Sequence, residues 1–80
     1  MTLPLRVFVD GRPVDVAPGS TALDAVRVAD AAAAAAVVAG ARVITDSRGL
    51  PVDGGTPNAA GHIYRVVPAR GAHAGDPTDA

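Results

Sequence analysis

Eighty residues with a formal net charge of −1 fit one small domain and give no electrostatic case for nucleic acid or an anionic membrane as a partner. The absence of cysteine excludes disulfides, iron–sulfur ligation by thiolate and thiol catalysis. All seven bases are arginine and all eight acids aspartate, as GC-rich codon usage would produce, and without lysine no ε-amine is open to modification. No basic segment leads into an apolar run at the N-terminus, and no Leu/Ile/Val/Phe stretch is long enough for a membrane. The run Ala31 to Ala36 has too little side-chain area to partition well into lipid. A soluble, cytoplasmic protein is expected.

Along the chain, Asp10-Gly11 between two alternating runs is the strongest short-range hairpin cue. A two-residue turn there pairs Val9 with Arg12, Phe8 with Pro13, Val7 with Val14, Arg6 with Asp15 and Leu5 with Val16. Leu5, Val7, Val14 and Val16 then share one face, and Arg6 and Asp15 form a cross-strand charge pair on the other. Pro13 has no N–H, so the second strand is expected at an edge, or with Pro13 facing out of the pair.

Pro18-Gly19-Ser20-Thr21 ends that strand. Ser20 or Thr21 is placed to cap a helix, and Thr21 with Asp24 resembles a capping box with Asp in place of Glu. Leu23 and Val26 give this helix its apolar stripe, and the helical signal runs through Val38 to Gly40, a good C-terminal stop. One helix of about nineteen residues would fit. Asp30, however, competes for backbone amides and is a better cap than interior residue. A break is expected near Ala29–Asp30, with a second helix over 31–39. Alanine's helix propensity makes that second helix slim, burying little area per residue.

Residues 41–45 read as a strand, Asp46-Ser47-Arg48-Gly49 as a turn, and Leu50-Pro51-Val52 as a short extended piece. Residues 53–61, rich in glycine, read as loop, and 63–67 as the last strand. From Pro68 onward the chain is small and polar, giving an expected domain over 1–68 and a disordered tail over 69–80. With the apolar first and last strands side by side at the centre, a mixed sheet of four or five strands would pack one face on a long or broken helix. That is an α+β fold in the β-grasp, or ubiquitin-like, arrangement.

Val7 to Val14, Pro18 to Ala25, Leu50 to Asp53, and Gly61 before Tyr64-Arg65-Val66 resemble the β-grasp superfamily over roughly residues 5 to 68. The likeness is greatest to its TGS, thiamine-type sulfur-carrier and molybdopterin-synthase small-subunit branch. The first block is also similar to the opening of plant-type ferredoxin domains. Three departures shape what this resemblance implies. Sulfur carriers end in Gly-Gly, whereas the only Gly-Gly here is Gly54-Gly55, before the last strand. The ferredoxin branch needs cysteines. TGS domains usually sit as appendages on larger enzymes. The expected function is therefore a non-catalytic module that binds a protein partner or self-associates. A sulfur-carrier-like protein and an accessory subunit of a larger enzyme are the alternatives.

The resemblance implies that Tyr64 and Val66 point inward, leaving Ile63, Arg65 and Val67 outward. The hairpin register turns Arg6 and Phe8 outward as well. If the two strands are neighbours, Phe8, Ile63 and Val67 form an exposed apolar cluster flanked by Arg6 and Arg65, the expected partner surface. No catalytic, cofactor or metal site is expected. His62 opens a strand and His73 lies in the tail, too far apart in the chain's organisation to converge on a metal. Asp10, Asp15, Asp46 and Asp53 read as turn or outer-face residues, and Ser20 and Ser47 as a cap and a turn residue with no base nearby. Gly54-Gly55 lacks the lysine and the helix start of a phosphate loop.

Overall fold

The computed structural model describes residues 3–69. Strands β1 (Leu5–Val9) and β2 (Arg12–Val16) form the expected hairpin in the expected register, from Leu5 opposite Val16 to Val9 opposite Arg12. Both turn residues take positive φ, 51° at Asp10 and 83° at Gly11, as a type I′ turn requires. Asp10 also carries out a second task. One carboxylate oxygen accepts the Val66 N–H at 3.1 Å, so a turn side chain meets an amide 56 positions away.

Helix α1 (Ala22–Ala29) opens on a complete capping box: Thr21 Oγ1 accepts the Asp24 N–H, and the Asp24 carboxylate accepts the Thr21 N–H. Asp30 then ends α1 and starts α2 (Ala31–Val38) in one extended residue. Its N–H donates to Val26 O, while its carboxylate accepts from the Ala32 and Ala33 amides. The break falls where the sequence places it. α2 closes in a Schellman motif at Gly40 (φ 84°), with Gly40 N–H on Val37 O and Ala41 N–H on Ala36 O.

Strands β3 (Arg42–Thr45), β4 (Pro51–Val52) and β5 (Ile63–Pro68) complete one five-stranded mixed sheet in the order β2-β1-β5-β3-β4. β5 runs parallel to β1 and antiparallel to β3, and β4 is antiparallel to β3. The fold is α+β, with two helices and five strands.

β5 runs one residue past its expected end at Val67, and Ala69 is buried with its N–H on Ala41 O at 3.0 Å. Proline is tolerated at 68 because even-numbered residues of β5 turn their amides toward β1, as Val66 does. β1 has already ended there, so no ladder bond is lost. Residues 70–80 of the expected tail lie outside the described residues.

The core lies between the two helices and one sheet face. It comprises Val7, Val9, Val14, Val16, Ala22, Ala25, Val26, Ala33, Ala34, Ile44, Tyr64 and Val66. Within α1 the small Ala22 and Ala25 are fully buried beside Val26, and Leu23 is only half-buried. The stripe expected on Leu23 and Val26 is thus rotated toward the alanines, which let the helix sit close to the sheet. Leu23 packs instead against Gly54, where an added Cβ would meet Leu23 Cβ at 3.3 Å.

Candidate functional site: the open face of the sheet

The side of the sheet away from the helices is set by the period of two along each strand. On β1, Val7 and Val9 face the core, so Arg6 and Phe8 face out. On β5, Tyr64 and Val66 are buried, so Ile63, Arg65 and Val67 face out. The parallel register then sets Phe8 beside Ile63, while the hairpin sets Phe8 beside Pro13. Phe8 is half-buried by these neighbours and Ile63 remains 45 % exposed. Arg6 lies one step before this row, bonded to Asp15 on β2 through two contacts, 3.0 Å from Nε and 3.3 Å from Nη2. That bond holds the Asp15 carboxyl below its ordinary range. Both side chains are more than half exposed, so the pair fixes orientation more than it stabilises.

All five expected residues lie on this face, but in a different layout. Val67 does not join Phe8 and Ile63 in one cluster. Four strand positions separate it from Ile63, about 13 Å, and its cross-strand neighbour is Val43 of β3. Arg65 occupies the position between, opposite Thr45, which is 6 % exposed and in turn faces Pro51 of β4. The face therefore carries two apolar rows, Pro13–Phe8–Ile63 and Val43–Val67, with Arg65 between them. Arg65 is exposed and forms no ion pair among the described residues. Val43 and Thr45 were not singled out from the sequence. Alternation in 41–45 gives which residues share a face, but the β3–β5 register that brings them here is not a local property.

The sheet edges offer little to a partner strand. Phe8 and Asp10 turn their amides to β5, bonding His62 O and Tyr64 O at 2.9 Å each. Val7 and Val9 therefore turn theirs to β2, and the backbone of Pro13 and Asp15 faces outward. Pro13 has no amide to give, and the opposite edge, β4, is two residues long and contains Pro51. Proline and short length both blunt an edge.

The polar groups at the start of α1 and around Asn58 are occupied structurally. The four amides that open α1 all have acceptors: Thr21 N–H on Asp24, Ala22 N–H on Thr56 O, Leu23 N–H on Gly54 O and Asp24 N–H on Thr21 Oγ1. The loop around Gly54-Gly55 thus closes the helix start with its own carbonyls, so none of the four opening amides of α1 is free for an anion. Asn58 is buried. Its amide donates to Ser20 Oγ and Thr21 O at 2.9 Å each, and its carbonyl accepts the Tyr64 hydroxyl at 2.8 Å. With the tyrosine proton so used, its oxygen accepts from His62 Nδ1 at 2.9 Å. Burial raises the Tyr64 pKa. His62 is thereby a surface cap on a structural chain, and Ser20 a link in it. The sequence signalled none of this, because Asn58 sits in a segment that reads only as loop.

Asp24, Asp46 and Asp53 behave as turn and cap residues. Asp46 accepts the Leu50 and Arg48 amides at 3.0 and 2.8 Å and pairs with the Arg48 side chain. These bonds, the Leu50 amide foremost, lower its pKa. The Thr21 backbone amide likewise lowers Asp24, and Asp53 accepts the Gly55 amide. A cleft of about 390 Å³ beside this turn is lined by Arg48, Thr56, His62 and Tyr64, with Arg48 and Tyr64 held in the contacts just described. Among the described residues no three potential metal ligands come together, and no helix is long and apolar enough to cross a membrane. His73 lies outside the described residues. No family model matches the chain, and no curated protein or solved structure does.

Proposed function

We propose that this protein is a non-catalytic binding module of β-grasp architecture that engages a protein partner through the open face of its sheet. The observation that carries this is the parallel β1–β5 pairing, which sets Phe8 directly beside Ile63 on the face turned away from the two described helices. The strand order β2-β1-β5-β3-β4, with both helices between β2 and β3, supports the β-grasp reading. Partly exposed apolar rows accompanied by arginine are the composition of a partner surface. The blunted edges favour docking by side chains on the face over strand addition. Among the described residues, the aspartates with shifted acidity, Asp15, Asp24 and Asp46, all move toward fuller ionisation. A general acid near neutral pH requires the opposite shift, which supports a non-catalytic role.

Affinity capture from the native lysate tests this, with folding of each variant checked by circular dichroism. Wild type and a Val28→Asp, Val38→Asp control, altered on the exposed outer surface of the helices, should retain a partner. Phe8→Asp, Ile63→Asp should lose it. Retention by the face variant, loss by the control, or capture of nothing by wild type would overturn the proposal.

A further inference from the structure

The outward positions of β1 continue into the turn. After Arg6 and Phe8, the next position on that face is Asp10, which comes beside Arg65 when the Phe8–Ile63 register is carried one step further. The Asp10 carboxylate reaches β5 at the Val66 amide, and Asp10 lines one surface pocket with Ile63 and Arg65. The face thus carries two bases, Arg6 and Arg65, and two acids, Asp10 and Asp15, whose charges cancel. Their order matters more than their sum. Along β1 the face reads cation, phenylalanine, anion, with Arg6 and Asp10 each about 7 Å from Phe8. Such a row is complementary to its own reverse. Both charges keep bonding capacity and all of Arg6, Asp10 and Arg65 are exposed. Arg6 gives two N–H groups to Asp15 and has others to spare, and one oxygen of Asp10 has no donor among the described residues.

We infer, building on the open-face reading above, that the partner is a second copy of this chain, docked face to face with the two β1 strands antiparallel. A two-fold axis running across the strands along the Pro13–Phe8–Ile63 row sets Phe8 on Phe8 and Ile63 on Ile63 of the second copy. It sets Arg6 on Asp10 of the second copy, and because the contact is isologous this ion pair forms twice. Arg65, beside its own Asp10, then faces Gly61 of the second copy, the residue level with Arg6 on the β5 side, where no side chain obstructs it. The other in-register two-fold, running along β1, would put Arg6 on Arg6 and Asp10 on Asp10, like charge on like in a desolvated contact. The charges therefore select one docking over the other, while the apolar row supplies the burial. Sheets packed face to face keep their strands within about 30° of one another, so the pairs nearest the axis stay in reach.

Sedimentation equilibrium of the full-length chain at low salt, from about 0.01 to 1 mM, tests this, with folding of each variant checked by circular dichroism. Wild type should form a reversible dimer, and Phe8→Asp, Ile63→Asp should be monomeric. Arg6→Gln and Asp10→Asn each remove both copies of the ion pair, and each should weaken the dimer by on the order of tenfold. Raising sodium chloride to about 0.5 M should weaken the wild-type dimer in the same sense. A dimer tightened by Arg6→Gln would overturn the antiparallel docking in favour of the two-fold along β1. A dimer indifferent to both substitutions and to salt, or one retained by Phe8→Asp, Ile63→Asp, would overturn it as well. A wild-type chain monomeric throughout would overturn the second copy as occupant and leave the open face to a different protein, which the capture experiment judges separately. If the inference holds, the partner captured there is the native chain itself.

Discussion

The two faces of the sheet are built by the same strands and differ in what they bury. Toward the helices lie valines, alanines, Ile44 and Tyr64. The helices covering them are rich in alanine, so the core is thin. Away from the helices lie the chain's only phenylalanine and Ile63. A fold short of large apolar residues would be expected to spend them inside. Their position on the uncovered side, in adjacent register, sets this face apart from a solvated surface.

The sharpest way to break the comparison is to shorten an isoleucine on each face. Ile44→Ala, at a site 2 % exposed, should lower unfolding free energy by about 2–5 kcal/mol, enough to threaten so small a domain. Ile63→Ala should cost below about 1 kcal/mol. Urea unfolding of both variants checks this, and equal costs would mean the open face is covered within the molecule. Next in size is Tyr64→Phe, which leaves the buried Asn58 carbonyl without its donor and should cost about 1–3 kcal/mol. Arg65→Ala, the outward neighbour, should leave the urea midpoint almost unmoved.

Asp10 gives a smaller contrast between local and distant roles. Asp10→Ala removes the acceptor for Val66 N–H and puts a Cβ-bearing residue with no polar compensation at positive φ, costing about 1–2 kcal/mol. Asp10→Asn keeps both features and should cost about 0.5 kcal/mol or less. If the two variants melt alike, the contact to β5 is not stabilising. The smallest effect is on pH. Asp15, Asp24 and Asp46 have folded pKa values below their unfolded ones. Below about pH 4 the unfolded chain therefore binds more protons, and stability falls as pH drops through the folded values. Above about pH 5 these groups add no slope. Asp46→Asn keeps an acceptor for the Arg48 and Leu50 amides and should flatten the acid limb of urea midpoints taken from pH 2 to 7. An unchanged limb would show that Asp46 contributes nothing to it.

What could be read from the sequence was what neighbouring residues decide. Asp10-Gly11 sets the turn and, through it, all five hairpin pairs, because a two-residue loop leaves no freedom of register. Thr21, Asp24, Asp30 and Gly40 start, break and stop the helices through bonds to amides and carbonyls within five positions. Period-two alternation put Arg6 with Phe8, and Ile63 with Arg65 and Val67, on one face of each strand, while the outward direction in the last strand was an expectation from the family resemblance. Tertiary structure decided what lies beside them. The register of β5 against β1 and β3 joins residues about twenty to fifty-five positions apart, and closing loops of that length carries no local signature in the chain. Only that register separates Val67 from Phe8, sets Val43 beside Val67 and leaves Arg65 between the two apolar rows. Only tertiary packing turns Asn58, a residue that reads as loop, into the buried link between the helix cap and the last strand.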